Sequence, residues 1–253
     1  MQPYQSARAR NYQEMLIFSK YHKHRLSRLF ILLIAVTSAF LGGCAATPSP
    51  LKNLAKTDID LVADIHIRQL TELLKELTVK LYKRNPVELK KVPGQTIEGR
   101  VAQVFGTPGV LLFKELNYSG DIEAMLLCFS EEYQGDRVLA VMVGLTDMIR
   151  KTYNYQNEMF ILDSLDQQKL YNSARNIEIL VWRLSNKKNS RGDLFLATNG
   201  LDEGEVNLSF ERLFGKMIAL QDTMAEITAD RGNRTINRVV HSLASATFLP
   251  IGL

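Results

Sequence analysis

Leucine and isoleucine recur every three or four residues along residues 61–82, and this spacing constrains the fold more than any other feature. Because 3.6 residues complete one turn of an α-helix, these side chains share one face of a long helix. Thr57-Asp58-Ile59-Asp60 is typical of a capping box, and Pro86 ends the helix near Asn85. A stripe of this length needs other helices to cover it, which favours a bundle. The stripe comprises Leu61, Ile65, Leu70, Leu73, Leu74, Leu77 and Leu81.

The rest of the chain carries the same periodicity in shorter pieces. Turn-forming residues separate them and predict further helices near residues 96–105, 119–133, 137–155, 164–184, 208–230 and 233–247. Residues 138–145 are apolar almost all round, so we expect them at the centre of the bundle. The predicted fold class is therefore all-α, a single-domain bundle of about seven amphipathic helices.

Residues 185–207 form the longest polar interruption between the predicted helices. Long loops inside a compact domain are often functional or mobile. Asn199-Gly200 offers an alternative, because this dipeptide closes tight β-hairpins. Residues 194–198 would then pair with residues 206–208 in a small hairpin, and the sequence leaves both interpretations open.

The N-terminal segment combines a basic patch, a short apolar run over residues 29–41, and two glycines followed by Cys44. This order of features is typical of a secretory signal peptide. The run spans 13 residues, whereas a membrane-spanning helix needs about 20 apolar residues. We therefore predict a cleaved leader rather than a transmembrane anchor.

The residues Leu41, Gly42, Gly43 and Cys44 resemble the lipobox of bacterial lipoproteins, which follows a type II signal peptide. The resemblance implies cleavage before Cys44, a diacylglycerol group on its sulfur and, commonly, an acyl chain on the new amino group. Two or more acyl chains anchor a protein stably, so the membrane is the first expected partner.

The same resemblance divides the chain into three parts. Residues 1–43 are the signal peptide, residues 44–56 the lipidated cysteine and a tether, and residues 57–253 a helical periplasmic domain. The first 14 residues are polar and unlike the start of a signal peptide, which favours Met15 as the true start.

Two alanines, Ala45 and Ala46, follow the lipobox cysteine. In Gram-negative lipoproteins an aspartate at this place tends to retain the protein at the inner membrane. The resemblance therefore implies the periplasmic face of the outer membrane, with the inner membrane as the less favoured location.

The basic character of the chain comes from its leader. Residues 1–43 hold six of the 31 Lys and Arg residues and one of the 27 acidic residues, so the mature chain, residues 44–253, is nearly neutral. A nearly neutral chain lacks the excess of positive charge with which proteins bind phosphate groups, so we expect no nucleic acid as a partner. With Cys44 lipidated, Cys128 is the remaining thiol, which excludes an internal disulfide and favours a buried, inert side chain.

No motif of a metal site, a phosphate-binding loop or a hydrolase appears in the mature chain. Its two histidines are His66 and His241. Asp60 and Asp64 lie near His66, but residues two apart on a helix face different directions, which disfavours a shared metal. His241 precedes Ser242, and adjacent helical residues also point apart. We therefore expect no catalytic residue, no metal and no cofactor.

Two features remain as candidate contact surfaces. Arg231, Arg234 and Arg238 cluster between the last two predicted helices, where the latter two share a helical face. They suit phospholipid headgroups or an acidic partner, with a solvated helix start as the alternative. The C-terminal tail carries Phe248 and Leu249, and it is either docked into the core or exposed to a partner.

These features favour a non-catalytic accessory or interaction subunit of an envelope assembly, facing the periplasm and binding an envelope protein. One alternative is a carrier of an apolar ligand or lipid, with a cavity lined by Met125, Met142, Met148 and Phe160. A second alternative is an envelope hydrolase, which requires a histidine beside a nucleophile, or convergent acids, within one cleft.

The lipobox gives the first testable prediction. We expect the wild-type chain in a Gram-negative host to incorporate labelled palmitate and to lose residues 1–43, and the Cys44→Ser variant to do neither. Mass spectrometry of the N-terminal peptide checks both results. Cys128→Ala is the matched control, because it changes the other cysteine and leaves the lipobox intact. An unmodified Cys44 thiol in the wild type contradicts the prediction.

Overall fold

Helices make up the regular structure of residues 56–161, 163–199, 208–238 and 242–252, which are the residues that the computed structural model describes. Within these ranges no β-strand occurs, and the predicted all-α bundle is confirmed. None of the helices in these ranges is long and apolar enough to cross a membrane. The lipobox and the predicted signal peptide lie outside the described residues. In chain order the helices are α1 (Asp58–Arg84), α2 (Pro86–Lys90), α3 (Ile97–Phe105), α4 (Asp121–Leu127), α5 (Arg137–Thr152), α6 (Gln167–Asn186) and α7 (Ser209–Gly232), with a 3₁₀ turn at Lys114–Leu116.

Helix α1 begins and ends as the sequence predicts. The backbone N–H of Asp60 donates to Oγ1 of Thr57 (3.3 Å), and the N–H of Thr57 donates to Oδ2 of Asp60 (2.6 Å). This reciprocal pair is the predicted capping box, and it satisfies N–H groups that have no partner inside the helix. At the other end Asn85 separates α1 from Pro86, the first residue of α2.

Two residues of the predicted apolar stripe are not part of the core. Leu61 is 39% exposed and Ile65 is 42% exposed. They lie across the helix from Ala63 and Leu70, which are buried, because two residues along a helix correspond to a rotation of about 200°. The stripe that faces the bundle is therefore shifted, and one apolar pair remains on the outer surface of α1.

Helix α5 runs through the centre of the bundle, as its apolar sequence predicts. Every residue from 138 to 149 on this helix is buried. Helix α4, which is shorter than predicted, packs on α5 at Gly144, and α6 packs along α7. A Cβ atom at position 144 would lie 2.5 Å from the carbonyl oxygen of Asp121 and 2.6 Å from the nitrogen of Met125. Glycine is thus what allows α4 to approach α5 so closely.

A buried charge cluster joins α1, α3, the 3₁₀ turn and α5. The fully buried Arg100 donates to both carboxylate oxygens of Glu115 (2.9 and 2.7 Å). Its Nη2 also lies 3.4 Å from Oδ2 of Asp136, which accepts a hydrogen bond from the Tyr82 hydroxyl (2.8 Å). The other oxygen of Asp136 caps α5 by accepting from the N–H of Leu139 (2.9 Å). Burial raises the pKa of Tyr82, so its hydroxyl remains a donor at neutral pH.

The predicted helix at residues 233–247 is wrong. Helix α7 ends at Gly232, and Asn233 takes the left-handed conformation with a φ of 49°. The N–H of Arg234 then donates to the carbonyl of Ala229 (3.0 Å), which closes the helix end in a Schellman arrangement. The described residues beyond Asn233 form an irregular tail without a helix.

Amide side chains on α6 hold this tail to the bundle. Asn176 accepts from the N–H of Leu249 (2.6 Å) and donates to its carbonyl (2.8 Å). Gln168 makes the same two-way pair with the backbone of Asn237 (2.9 and 3.2 Å). Ile251 near the chain end is buried. The tail is therefore docked, which resolves the alternative that the sequence left open.

The described part of the loop after α6 contains an isolated antiparallel bridge between Lys188 and Leu194. Residues 194–199 form no strand, and most of their predicted hairpin partner lies outside the described residues. Asn85 holds this loop with another two-way amide pair, because it accepts from the N–H of Ala197 (2.8 Å) and donates to its carbonyl (2.9 Å).

Two glycine substitutions test the packing of α4 on α5. We expect Gly144→Ala to lower the free energy of unfolding by about 1–3 kcal/mol, because overpacking forces the backbone of α4 away. Gly215→Ala in α7 is the matched control, since nothing lies within 4 Å of its added Cβ, and it should raise stability by about 0.5–1 kcal/mol. Urea unfolding of both variants measures the two changes, and equal effects contradict the prediction.

Candidate functional site

A cavity of about 330 Å³ lies at the end of the bundle where α1 begins. We call it the α1-end cavity. Its wall consists of the first two turns of α1, residues 159, 161 and 163–165, the start of α6 and the end of α7. Ile59, Met159 and Leu165 contribute apolar surface. The polar and charged lining comprises Asp60, Asp163, Ser164, Gln167, Thr228, Arg231 and Arg234.

Two of the three predicted contact arginines reach this cavity. Nη1 of Arg231 lies 3.7 Å from Oδ1 of Asp60, and the guanidinium of Arg234, another lining residue, has no ion pair or hydrogen bond to another described residue. Arg238 lies apart and pairs with Glu226 on the surface (3.3 Å). The expected common helical face of Arg234 and Arg238 is wrong, because the chain is not helical there.

Two buried polar atoms on residues of the cavity wall have no hydrogen-bond partner among the described residues, and neither atom is accessible from the cavity. They are Oε1 of Gln167, a buried residue at the start of α6, and Oγ1 of Thr228 on α7. A buried acceptor without a donor costs about 1–3 kcal/mol, so such atoms are uncommon in folded proteins. The sequence did not indicate either residue, since both belong to ordinary amphipathic helices.

One wall of the cavity is held in place by an ion cluster at the first described residues. The ammonium of Lys56 pairs with Asp64, and it lies 3.5 Å from Oε2 of Glu158 and 4.7 Å from the ring centroid of Phe160. The N–H of Met159 donates to the second oxygen of Asp64 (2.7 Å). These contacts fix residues 158–160 against α1, and Met159 in turn forms part of the cavity wall.

The predicted tail residues Phe248 and Leu249 do not line the α1-end cavity. The guanidinium of Arg183 lies 4.5 Å from the ring centroid of Phe248, and Asn176 holds the backbone of Leu249. Both side chains are half-buried and pack beside α6. In this structure they dock the tail to the bundle.

The candidate catalytic residues from the sequence do not come together. His66 is buried beside the backbone of Leu220, and its Nδ1 has no hydrogen-bond partner among the described residues. Asp64 is engaged by Lys56 rather than by His66. His241 lies outside the described residues, and among those that are described no group of three His, Cys, Asp or Glu side chains is placed to hold a metal ion.

Cys128 is fully buried, as predicted, and burial raises the pKa of its thiol. A thiol with a raised pKa is protonated at neutral pH and is a poor nucleophile.

The methionines proposed to line a carrier cavity fill the core. Met125, Met142 and Met148 are fully buried, and none of them lines the α1-end cavity. Phe160 lies beneath the ammonium of Lys56 instead. The α1-end cavity is therefore charged, whereas the sequence suggested an apolar cavity lined by these side chains.

The fold and this cavity define the protein as an all-α helical bundle with a mixed-charge site at one end. Comparisons of the chain with protein-family models, curated proteins and solved structures find no match. Its function must therefore be inferred from its own residues.

The buried histidine predicts a pH dependence of stability. Burial lowers the pKa of His66 below its ordinary value, so protons bind this side chain more weakly in the folded state than in the unfolded state. The stability that His66 contributes is thus present above its unfolded pKa and lost as pH falls below it. Between about pH 7.5 and about pH 5.5, wild-type stability should fall more steeply than that of His66→Gln. Chemical denaturation at both values measures this difference, and parallel curves contradict it.

Proposed function

We propose that this protein is a lipid-anchored, non-catalytic interaction subunit of a bacterial envelope assembly. Lipid on Cys44 holds it on the periplasmic face of the outer membrane. The observation that carries the proposal is the sequence Leu41-Gly42-Gly43-Cys44 at the end of a short apolar run with a basic flank. Acyl chains on one cysteine supply stable attachment, and the helical domain remains in the aqueous phase.

The length of the tether limits how far the helical domain can lie from the membrane. Residues 45–56 separate the lipidated cysteine from the capping box at Thr57. Twelve extended residues reach about 40 Å at most. Lipid on Cys44 therefore keeps the helical domain close to the membrane surface.

The outer face of α1 is a candidate surface for a protein partner. Leu61 and Ile65 lie one turn apart on this face, and both are exposed. Paired exposed apolar residues next to a membrane attachment point favour contact with another envelope protein.

Site-specific photocrosslinking in intact cells tests this function. A photoreactive residue in place of Leu61 should yield one reproducible protein adduct, and the adduct should disappear in the Cys44→Ser background. The same substitution at Arg191, which is exposed on the loop after α6, is the positional control. Mass spectrometry of the adduct identifies the partner class.

Three results contradict the proposal. An unmodified Cys44 in the wild type removes the anchor, and adducts with lipid alone at position 61 favour the carrier instead. Turnover of an envelope substrate by the purified protein would favour the hydrolase.

A further inference from the structure

We propose that the α1-end cavity binds a zwitterion that carries a primary ammonium group and a phosphate, which is the headgroup chemistry of an aminophospholipid. The cavity of about 330 Å³ is at the lower end of the size range for small-ligand sites. It therefore suits a headgroup rather than a whole lipid.

The anionic part of the ligand is assigned to the two arginines. The guanidinium of Arg234 makes no ion pair or hydrogen bond with another described residue. Arg231 lies 3.7 Å from the carboxylate of Asp60, which is too far for a hydrogen bond and leaves its N–H donors available. Guanidinium groups present parallel donors that match the oxygens of a phosphate.

The cationic part is assigned to the acceptors of the opposite wall. Asp60 and Asp163 each contribute a carboxylate with one oxygen already used, by Thr57 and by Phe160. The two carboxylates favour an ammonium with several N–H donors.

Single-charge ligands fit this wall less well. A simple anion would meet the carboxylates of Asp60 and Asp163, and a simple cation would meet the guanidinium groups of Arg231 and Arg234. A zwitterion satisfies both sets at once. A quaternary ammonium is also disfavoured, because it has no N–H donor for these carboxylates and none of the described lining residues is aromatic.

The position of the cavity favours a membrane source for this ligand, and this step rests on the proposed lipid anchoring. The cavity lies where α1 begins, and this part of the domain directly follows the tether in the chain, so the tether can bring it to the membrane surface. Ile161 at its rim is 55% exposed, and an apolar side chain there suits the glycerol and acyl region beneath a headgroup. A soluble phosphoethanolamine has the same polar chemistry and is the second possible source.

Calorimetric titration in detergent tests the chemistry without a membrane. The probes are O-phosphoethanolamine, phosphocholine and inorganic phosphate, added to the full acylated chain. We expect O-phosphoethanolamine to bind at least about tenfold more tightly than either other probe, because it alone supplies both a phosphate and N–H donors. Arg234→Gln should weaken its binding by about tenfold or more.

Matched variants separate the two parts of the site. Asp163→Asn should weaken the binding of O-phosphoethanolamine but not that of inorganic phosphate, since it removes a negative charge that attracts only the ammonium. Arg238→Gln should change the binding of neither O-phosphoethanolamine nor inorganic phosphate, because Arg238 pairs with Glu226 outside the cavity. Circular dichroism confirms that each variant is folded. Equal binding of all three probes, or no binding to folded wild-type protein, overturns the proposal.

Hydrogen exchange in vesicles distinguishes the two sources. In phosphatidylcholine vesicles with added phosphatidylethanolamine, residues 159–165 should be protected relative to phosphatidylcholine alone, and Arg234→Gln should abolish the difference. Binding in detergent without this protection supports the zwitterion site and assigns it to a soluble ligand. Because the titration needs no membrane, its result stands even if Cys44 proves to be unmodified and the proposed anchoring fails.

Discussion

The buried guanidinium of Arg100 is the interaction on which the arrangement of the helices depends most. It lies between Glu115 and Asp136, and Asp136 in turn accepts from Tyr82 on α1. Four separate chain segments thus meet at one set of charges. Arg100 and Asp136 are fully buried, whereas Glu115 is partly exposed, so removing Arg100 would leave the carboxylate of Asp136 uncompensated in the core, at a cost of about 3–5 kcal/mol. The cluster therefore fixes which helices are neighbours more strictly than apolar contact alone, which tolerates many registers.

This constraint also orders the rest of the bundle. Asp136 caps α5, so the start of the central helix is set by the same charges that hold α1 and α3. From there α5 supports α4 at Gly144, and α1 also packs against α7. The α1-end cavity is formed where α1 and α7 meet the chain segment before α6. Its polar lining is thus positioned by helices that are themselves held in register from the core.

The sequence predicted long helices well and irregular segments poorly. Periodicity and the capping box were sufficient for α1, because both are local properties of the chain. The segment after Gly232 also has helical spacing, but Asn233 closes α7 and the backbone then pairs with amides on α6. Those contacts join residues far apart in the chain, so no local pattern reveals them. Arg100 was missed for the same reason, since an arginine in a short amphipathic helix is indistinguishable from a solvated one. Of the residues of the candidate site, Arg231 and Arg234 were predicted as contact residues from their charge. Gln167 was not predicted, because its one unusual feature is a buried amide oxygen without a hydrogen-bond donor.

The two-way amide pairs on Asn85, Gln168 and Asn176 have a further consequence for how this protein can vary. In each of these pairs the amide makes its two hydrogen bonds to the backbone N–H and carbonyl of one residue, and the side chain of that residue takes no part in them. Selection can therefore replace most residues of the loop and tail without loosening them, provided that the three amides persist. Among distant homologues, these polar helix positions should be better preserved than the segments they restrain.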